Sequence, residues 1–475
     1  MNLPFSGLTV GILFLTTMLF SAWECSAGPV DCRDIRKGYN LKMNNVRDFG
    51  AAGDGRTKDT AAIQKAIDAG GMVHFPPGVY LSGTLYLKSN GGLDLDPGAV
   101  LLASPDKEDY NADDFCVQNS FSAKERASGA HFIVALEQKN IVIRGGGIID
   151  GNRKAFYNEV WKEHPTVFKL TDWRPGQMVY FCECENVRIT DVELNHAPYW
   201  TLFLHGCERV NVHGVRIWND FRTHNGDGID LDCCRYVTVS DCIIHSADDC
   251  ITFRGNDRKL KQKKPCENIT VTNCILESRC NAFRVGVGNG LIRNCTVSNI
   301  IIRNTRTGIQ VNSRYSPKSQ GVTIENILFS DILMDVKRPV AVCSDVRGSH
   351  DEPIKPIRNL VFRNLNGTAC WSNFVESNRR GDIRDIVFSG VKLKYSGGED
   401  VKEGPGLIYA EFGTQNAPAA FHLTNMEKVI FRDVKIEWDT DSPNWKYGVM
   451  AENSEPLEIN SECNFGKPNR VNHQR

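Results

Sequence analysis

The 475-residue sequence predicts an all-β solenoid, a parallel β-helix closed at its N-terminal end by a short capping helix. Three observations predict it. A polar-apolar phrase recurs along most of the chain, its closest copies 23 residues apart at Val187 and Val210. Each copy alternates with period two. One segment near the start, rich in good helix formers, reads as a helix.

The phrase is a polar residue, alternating apolar positions, then Asp or Asn, then further apolar residues. It reads Asn186-Val-Arg-Ile-Thr-Asp-Val, Arg209-Val-Asn-Val-His-Gly-Val, Tyr236-Val-Thr-Val-Ser-Asp-Cys and Asn268-Ile-Thr-Val-Thr-Asn-Cys, and continues to Lys428-Val-Ile-Phe-Arg-Asp-Val. Period two means a strand with one buried face. A repeat in the low twenties means stacked coils, each burying its apolar face on the next. Propeller blades need about twice that period, and a Leu-x-x-Leu frame is absent. Asn, Asp and Gly between the apolar runs serve as corners. Charged or Pro-rich insertions such as Lys259 to Pro265 and Asp351 to Pro356 are expected as loops on one side of the solenoid. The helix is expected over Asp59 to Ala69, capped by Asp59 or Thr60 and stopped by Gly70-Gly71. It would cover the open end of the coils and block edge pairing. No linker interrupts the pattern, so residues 28–475 read as one domain, with a polar, loosely held stretch from Asn453 on.

Composition narrows the function classes. Net charge is −1, with no basic excess or like-charge block to favour nucleic acid. Residues 5–22 are nearly charge-free and lead to Cys25-Ser-Ala-Gly28, which reads as a signal peptide over residues 1–27, although its start carries no Lys or Arg. An uncleaved anchor is the competing reading, but the apolar run is short for a full span. The mature chain is therefore expected outside the cytoplasm, free of the membrane, and monomeric. Of 17 cysteines, sixteen lie beyond that leader. Disulfides are permitted there, yet Cys242, Cys250, Cys274 and Cys295 sit in apolar strand patterns and read as small buried hydrophobes.

The densest chemical constellation is His224-Asn-Gly-Asp-Gly-Ile-Asp-Leu-Asp232, followed by Asp248-Asp249-Cys250. Asp227 and Asp248 are 21 residues apart, about one coil, which would stack them on neighbouring strands about 5 Å apart. Two carboxyl groups sharing a cleft suit glycosidic hydrolysis: one gives a proton to the leaving oxygen, the other activates water or attacks. Crowding keeps one of them protonated near neutral pH. Spacing alone leaves solvated turn residues or a calcium site equally open. Adjacent strand residues point to opposite faces, so Asp248 and Asp249 share a cleft only if a turn or bulge intervenes.

These residues also carry a resemblance. Asn225-Gly-Asp-Gly-Ile-Asp230 resembles the Asn-Thr-Asp-Gly-(Phe/Ile)-Asp signature of glycoside hydrolase family 28, the polygalacturonase family, and Asp248-Asp249-Cys250 resembles its Asp-Asp-Cys. Val46-Arg-Asp-Phe-Gly-Ala-Ala-Gly-Asp-Gly55, Phe75-Pro-Pro-Gly-Val-Tyr80 and Pro198-Tyr-Trp200 are similar to other parts of that family, so the likeness runs from about Asn45 to Asp335. It implies a right-handed, pectin-lyase-like β-helix and an inverting hydrolase without a cofactor or metal. Asp248 would be the general acid, and Asp227 and Asp249 would activate the water. Asn225 and Asp230 would help bind a polysaccharide or oligosaccharide.

The departures sharpen the reading. The family's Gly-His-Gly becomes Cys280-Asn281-Ala282, and its Arg-Ile-Lys becomes Gln310-Val311-Asn312. Without those cations a galacturonate carboxylate loses its charge-assisted contacts. A neutral, deoxy or substituted sugar at the cleaved bond fits better, with Asn281, Gln310 and Asn312 as neutral contacts. Arg254 and Arg284 would return some positive charge, or serve as ion pairs or loop caps. His224 is placed to replace the missing histidine; His196, His205, His213 and His245 read as packed or capping rings. Trp200 faces the cleft on this reading, while Trp161 and Trp173 pack. Two other functions stay open: a β-helix lyase or epimerase, which would need a cation to hold a uronate carbanion, and a carbohydrate-binding relative without catalysis.

Overall fold

The computed structural model describes residues 42–472 apart from 120–121, 159, 316–318, 346–353, 399–400, 402–415 and 440–443. The expected signal peptide lies outside the described residues.

Three parallel sheets run the length of the described chain, and each coil contributes one strand to each. The first, here the ladder sheet, stacks Glu185–Thr190, Glu208–His213 and Arg235–Ser240 on successive coils. The second, the back sheet, stacks Glu193–Asn195, Arg216–Trp218 and Ile243–Ser246. The third, the site sheet, stacks Leu202–His205, Ile229–Asp232 and Ile251–Gly255. The recurring phrase is the ladder sheet. Its register carries Val187 onto Val210, Val237, Ile269, Cys295, Ile327, Leu360, Ile386, Val429 and Leu457. Val187 to Val210 is 23 residues, but the ladder repeat ranges from 20, at Val73 to Leu93, to 50, at Leu93 to Ile143, because loops lengthen some coils.

Both polar positions of the phrase are corners. Asn186, Asn268 and Asn326 open ladder strands at φ 57°, 57° and 56°, and Asp191, Asp241 and Asn364 close them at 57°, 59° and 51°. This left-handed region is costly for most L-residues and cheapest for Gly, Asn and Asp. Stacking then turns a local preference into a ladder: Asn186 donates to Asn140 Oδ1 at 2.6 Å, Asn140 to Asn90 at 2.6 Å, Asn359 to Asn326 at 2.7 Å. Leu291–Arg314 passes through all three sheets as one strand, turning at Asn294, Asn299 and Asn304 with φ 55°, 55° and 45°.

Inside the three sheets runs one apolar core. Val187, Ile189, Val210, Val212, Val237 and Val239 are at most 2% exposed. Toward the C-terminal end the same positions become a stack of parallel rings, Phe329, Phe362, Phe388 and Phe431, with centroids 5.6, 5.0 and 5.3 Å apart. The expected core thiols Cys242, Cys250, Cys274 and Cys295 are buried, and all fifteen described cysteines are free.

The expected capping helix spans Thr60–Asp68 and buries Ile63, Ala66 and Ile67. Asp59 occupies its N-cap but does not cap it; the carboxylate accepts instead from Ala52 and Gly53 N–H at 2.7 and 3.0 Å, and Thr60 Oγ1 accepts from Gly83. Two expectations change. The stretch after Asn453 still pairs, Glu455–Ile459 with the ladder sheet and Arg470–Asn472 with the site sheet. Insertions leave the coils at both ends of the site-sheet strands rather than at one side. Residues 104–132, 151–178 and 219–228 precede site strands, and 256–265 and 315–322 follow them. The site sheet is thus the floor between two rows of loops.

Replacing Phe362 by Ala opens a ring-sized gap in the Phe stack. We expect a loss of about 3–5 kcal/mol in reversible denaturant unfolding, with secondary structure retained in circular dichroism.

Candidate functional site

The site sheet alternates about its own plane. Ile229, Leu231 and Phe253 point into the core, and Asp230, Asp232 and Thr252 point out. Gly228 N–H donates to the Asp249 carbonyl at 2.8 Å, in continuation of the Ile229–Ile251 pairing. Asp227 therefore lies level with Asp249, not with Asp248 as the spacing suggested. Cys250 N–H donates to the Asn281 carbonyl at 2.9 Å, so Asn281 follows on the next coil. The stack Asp227, Asp249, Asn281 spans three coils, each about 4.8 Å from the next.

Asp248 is the extra residue. Ala247 and Asp248 N–H both reach the Gly226 carbonyl, at 3.0 and 3.4 Å, which kinks the chain between the back and site sheets. The kink is the bulge that two adjacent carboxylates require. It is pinned by Ser246 and Ser278, whose hydroxyls donate to the Asp248 carbonyl, and by Asp249 N–H donating to Asp248 Oδ1 at 3.0 Å. Asp248 is half-buried, whereas Asp227, Asp230 and Asp249 are buried.

Taking these carboxyls out of water favours their neutral forms. Burial, then the charges of Asp230, Asp248 and Asp249, pushes Asp227 well above the carboxylate range. Burial likewise pushes Asp230 up to about 7, against the Arg254 charge, and Asp248 up to about 7, helped by Asp249. The cluster thus holds protons at neutral pH. Asp230 accepts from Thr252 Oγ1 at 2.7 Å, and Arg254 lies 3.7 Å from Asp230 and 3.6 Å from Asp232. Asp249 has the richest support: Asn281 Nδ2 donates to it at 2.6 Å and Arg284 Nη1 lies 3.6 Å away. Asp227 Oδ1 and Asp230 Oδ2 are buried without a hydrogen bond.

The remaining expected residues fall into two groups. Arg254, Arg284, Asn281, Gln310 and Asn312 all lie on the site sheet. Arg254 stands over the Trp200 ring at 4.4 Å and Arg284 over Tyr315 at 4.5 Å, so both guanidiniums lie at cation–π distance from an aromatic ring. Gln310 stacks one coil beyond Arg284 and reaches Cys343 Sγ at 4.0 Å; Asn312 is buried, and its amide makes no hydrogen bond. Asn225, by contrast, belongs to the loop before the sheet. It sits at φ 53° with Oδ1 accepting from Arg174 at 3.3 Å. His224 is half-buried with Nε2 lacking a partner, and burial lowers its pKa. Trp173 packs on Tyr110 and Phe156, as expected, and Trp161 meets His164 and His224. His245 lies between the rings of Trp218 and Phe221, 4.0 Å from each.

Sequence reading missed Arg306 and Arg174. Arg306 Nη2 is 2.9 Å from Cys280 Sγ and 3.4 Å from Asn281 Oδ1. Arg174 is fully buried and donates to the carbonyls of Glu125, Pro198 and His224, each at 2.7–2.8 Å, drawing three loops together behind Asn225. Arg174 lies in a loop outside the repeat, and Arg306 sits at a corner position that the apolar alternation does not mark. Single oxygens of Asp248 and Asp249 and the Cys280 sulfur lie within 4.8 Å of one another, the kind of set that can hold a metal. Arg306 already places a positive charge against that sulfur, so the set suits proton transfer better than a cation.

Comparison with known proteins places this geometry. The model of glycosyl hydrolases family 28 matches residues 98–404, and one described as rhamnogalacturonase A/epimerase, pectate lyase-like matches residues 43–93. Polygalacturonase QRT2 of Arabidopsis thaliana is 24% identical over 396 residues, covering 74% of this chain and 86% of its own. An exo-poly-alpha-D-galacturonosidase of Dickeya chrysanthemi is 30% identical over 308 residues, 55% of this chain and about half (51%) of its own. Among solved structures, a family 28 exopolygalacturonase of Yersinia enterocolitica superposes with a TM-score of 0.67 at 20% identity, covering 89% of this chain and 78% of its own. Endo-xylogalacturonan hydrolase of Aspergillus tubingensis does so with 0.54 at 16%, covering 89% and 100%. The fold is the right-handed parallel β-helix. The chain belongs to glycosyl hydrolases family 28 as a divergent member, and it is a glycoside hydrolase of the polygalacturonase-like, pectin-degrading kind.

Because the folded protein binds the Asp248 proton more tightly than the unfolded chain, its contribution to stability is present at low pH and is lost as pH rises through about 7. Asp248→Asn removes that loss. Unfolding free energy measured by denaturant titration should fall less steeply between about pH 4 and 8 in the variant, and the variant should be the more stable protein at pH 8.

Proposed function

We propose that this family 28 member is a secreted hydrolase that inverts configuration at the bond it cleaves in a pectic polysaccharide, and that it is not a plain polygalacturonase. The observation that carries the second part is a site with a complete carboxylate cluster but neutral side chains, Gln310 and Asn312, one coil beyond Arg284. A galacturonate unit seated over them finds amides where a charge-assisted grip is needed. A neutral, deoxy or substituted sugar at the cleaved bond is the better fit.

Asp248 is the acid on this reading. It is half-buried, reaches the cleft from the bulge, and is held protonated near neutral pH. Its proton passes to the glycosidic oxygen as the bond to the anomeric carbon breaks. Asp249 takes the proton of a water as that water attacks from the opposite face of the ring, and Asp227, stacked on the adjacent coil, orients it by hydrogen bonding. Asn281 holds Asp249 in place through its 2.6 Å bond, the positioning task at the position where the family has histidine. Arg284 and Arg254 offset the accumulated negative charge from opposite ends of the cluster. Trp200, whose ring already takes the Arg254 guanidinium, borders the cleft as a sugar platform.

Purified protein should be incubated with homogalacturonan, rhamnogalacturonan, xylogalacturonan and neutral glycans, with products read by mass spectrometry and the new anomer by NMR. We expect saturated products of inverted configuration from a substituted or mixed polymer. Unsaturated products would mean a lyase, and homogalacturonan as the best substrate would overturn the specificity argument. Asp248→Asn should lower kcat by about 10³-fold or more, with substrate binding retained. The wild-type rate should fall as pH rises through about 7, where Asp248 gives up its proton. Asn281→Ala should cost about 10–100-fold in kcat with little change in KM, since it removes a group that positions the base.

A further inference from the structure

A second pocket opens beside the acid, at the corner where back-sheet strands pass into site-sheet strands. Its volume is about 700 Å³, room for one or two sugar units. Arg279, Arg306 and Lys337 line it, with Phe221, Thr368 and Asp335. The register explains how the cations meet. Asn281, Thr307 and Arg338 are level on three successive coils. One residue earlier on the same coils stand Cys280, Arg306 and Lys337, and Arg279 precedes Cys280. Three positive groups therefore follow one another at one corner, about 4.8 Å apart per coil.

This arrangement departs from the rest of the solenoid. On the ladder sheet an Arg faces a Glu on the neighbouring coil: Arg235 with Glu208 at 2.6 Å, Arg293 with Glu267 at 2.7 Å, Arg358 with Glu325 at 2.7 Å. Where like charges do fall level there, as with Glu185 and Glu208, each also has a cationic partner, Lys139 for one and Arg235 for the other. At the corner Arg279 and Lys337 have no such carboxylate partner among the described residues. Arg279 donates to the Thr166 and Phe221 carbonyls, which leaves its charge uncompensated, and the Lys337 ammonium lies 5.3 Å over the Trp371 ring with no carboxylate at ion-pair distance among the described residues. The one carboxylate lining the pocket, Asp335, accepts from Thr368 Oγ1 at 2.6 Å. The corner also communicates with the chemistry: Arg306 touches Cys280 and Asn281, and Ser278, in the same wall, donates to the Asp248 carbonyl.

We propose that this corner pocket is an anionic-sugar subsite, taking the carboxylate of a uronate unit between Lys337, Arg306 and Arg279 on the Asp248 side of the cleaved bond. The proposal rests on the hydrolase reading above and deepens it. A neutral unit over Gln310 and Asn312 with an acidic unit in the corner defines a substrate in which neutral and acidic sugars are neighbours. Positive charge has moved from the sheet, where the family grips a carboxylate, to the corner beside it.

The test is calorimetric binding to the full chain in the Asp248→Asn background, which prevents turnover. The probes are a galacturonate trimer and the same trimer with its carboxyls reduced to alcohols. Lys337→Met should weaken binding of the acidic trimer about tenfold and leave the reduced trimer unchanged. Lys337→Arg should restore it, and added salt should narrow the difference between wild type and Lys337→Met. Adding Arg279→Gln to Lys337→Met should weaken it further. Equal affinity for the two trimers, no binding of the acidic one, or equal losses on both in Lys337→Met would overturn the proposal. Lys337-dependent, acid-selective binding in a protein whose wild type cleaves nothing would uphold the pocket and sink the hydrolase reading alone.

Discussion

Each coil of this chain turns three corners and returns to about 4.8 Å from the same position on the coil before, so whatever a position carries is set against its own kind. Most of the structure follows from that spacing. Apolar positions become continuous columns, from Val187 and Val210 to the Phe329–Phe431 rings. Asparagines forced into the left-handed region satisfy one another along the axis. Several charges face the opposite sign on the next coil, as with Arg235 and Glu208.

The site uses the same spacing against its usual sense. Asp227 and Asp249 are stacked like charges, with Asp230 and Asp248 beside them, and burial makes the repulsion worse. A fold selected for stability alone would place apolar or amide groups there, as it does one coil further on, at Asn281. The cluster persists because the surrounding structure compensates it in parts. Protons remain bound at neutral pH, Arg254 and Arg284 lie within 3.7 Å of its two ends, and Thr252 and Asn281 donate hydrogen bonds. On the proposed reading, the same burial that weakens the fold as pH rises keeps an acid loaded for transfer to a leaving oxygen.

Loops complete what the sheet begins. The solenoid supplies a flat floor, and insertions on both of its edges supply walls. Arg174 is the tie on one side: a buried guanidinium with no carboxylate hydrogen-bonded to it among the described residues, held by the backbone carbonyls of Glu125, Pro198 and His224 and lying over Tyr199. Its hold on the His224 carbonyl and Asn225 sets where the strand carrying Asp227 starts.

The coil of several short strands, its capping helix and the closeness of Asp227, Asp230, Asp248 and Asp249 to one another were legible in the sequence, because each rests on a local rule. Period-two alternation marks a buried face, Asn and Asp mark left-handed corners, and acidic residues repeated about one coil apart must stack. What the tertiary structure decided was register and reach. A single extra residue at Asp248 moves Asp249, not Asp248, under Asp227, and no spacing count distinguishes the two without the hydrogen bond from Gly228 to Asp249. Asn225 turns back to Arg174, more than fifty residues earlier in sequence than Asp227, and Arg306 reaches Asn281 from the next coil. The repeat fixes which residues lie level; corner geometry, set by packing between coils, fixes where their side chains end.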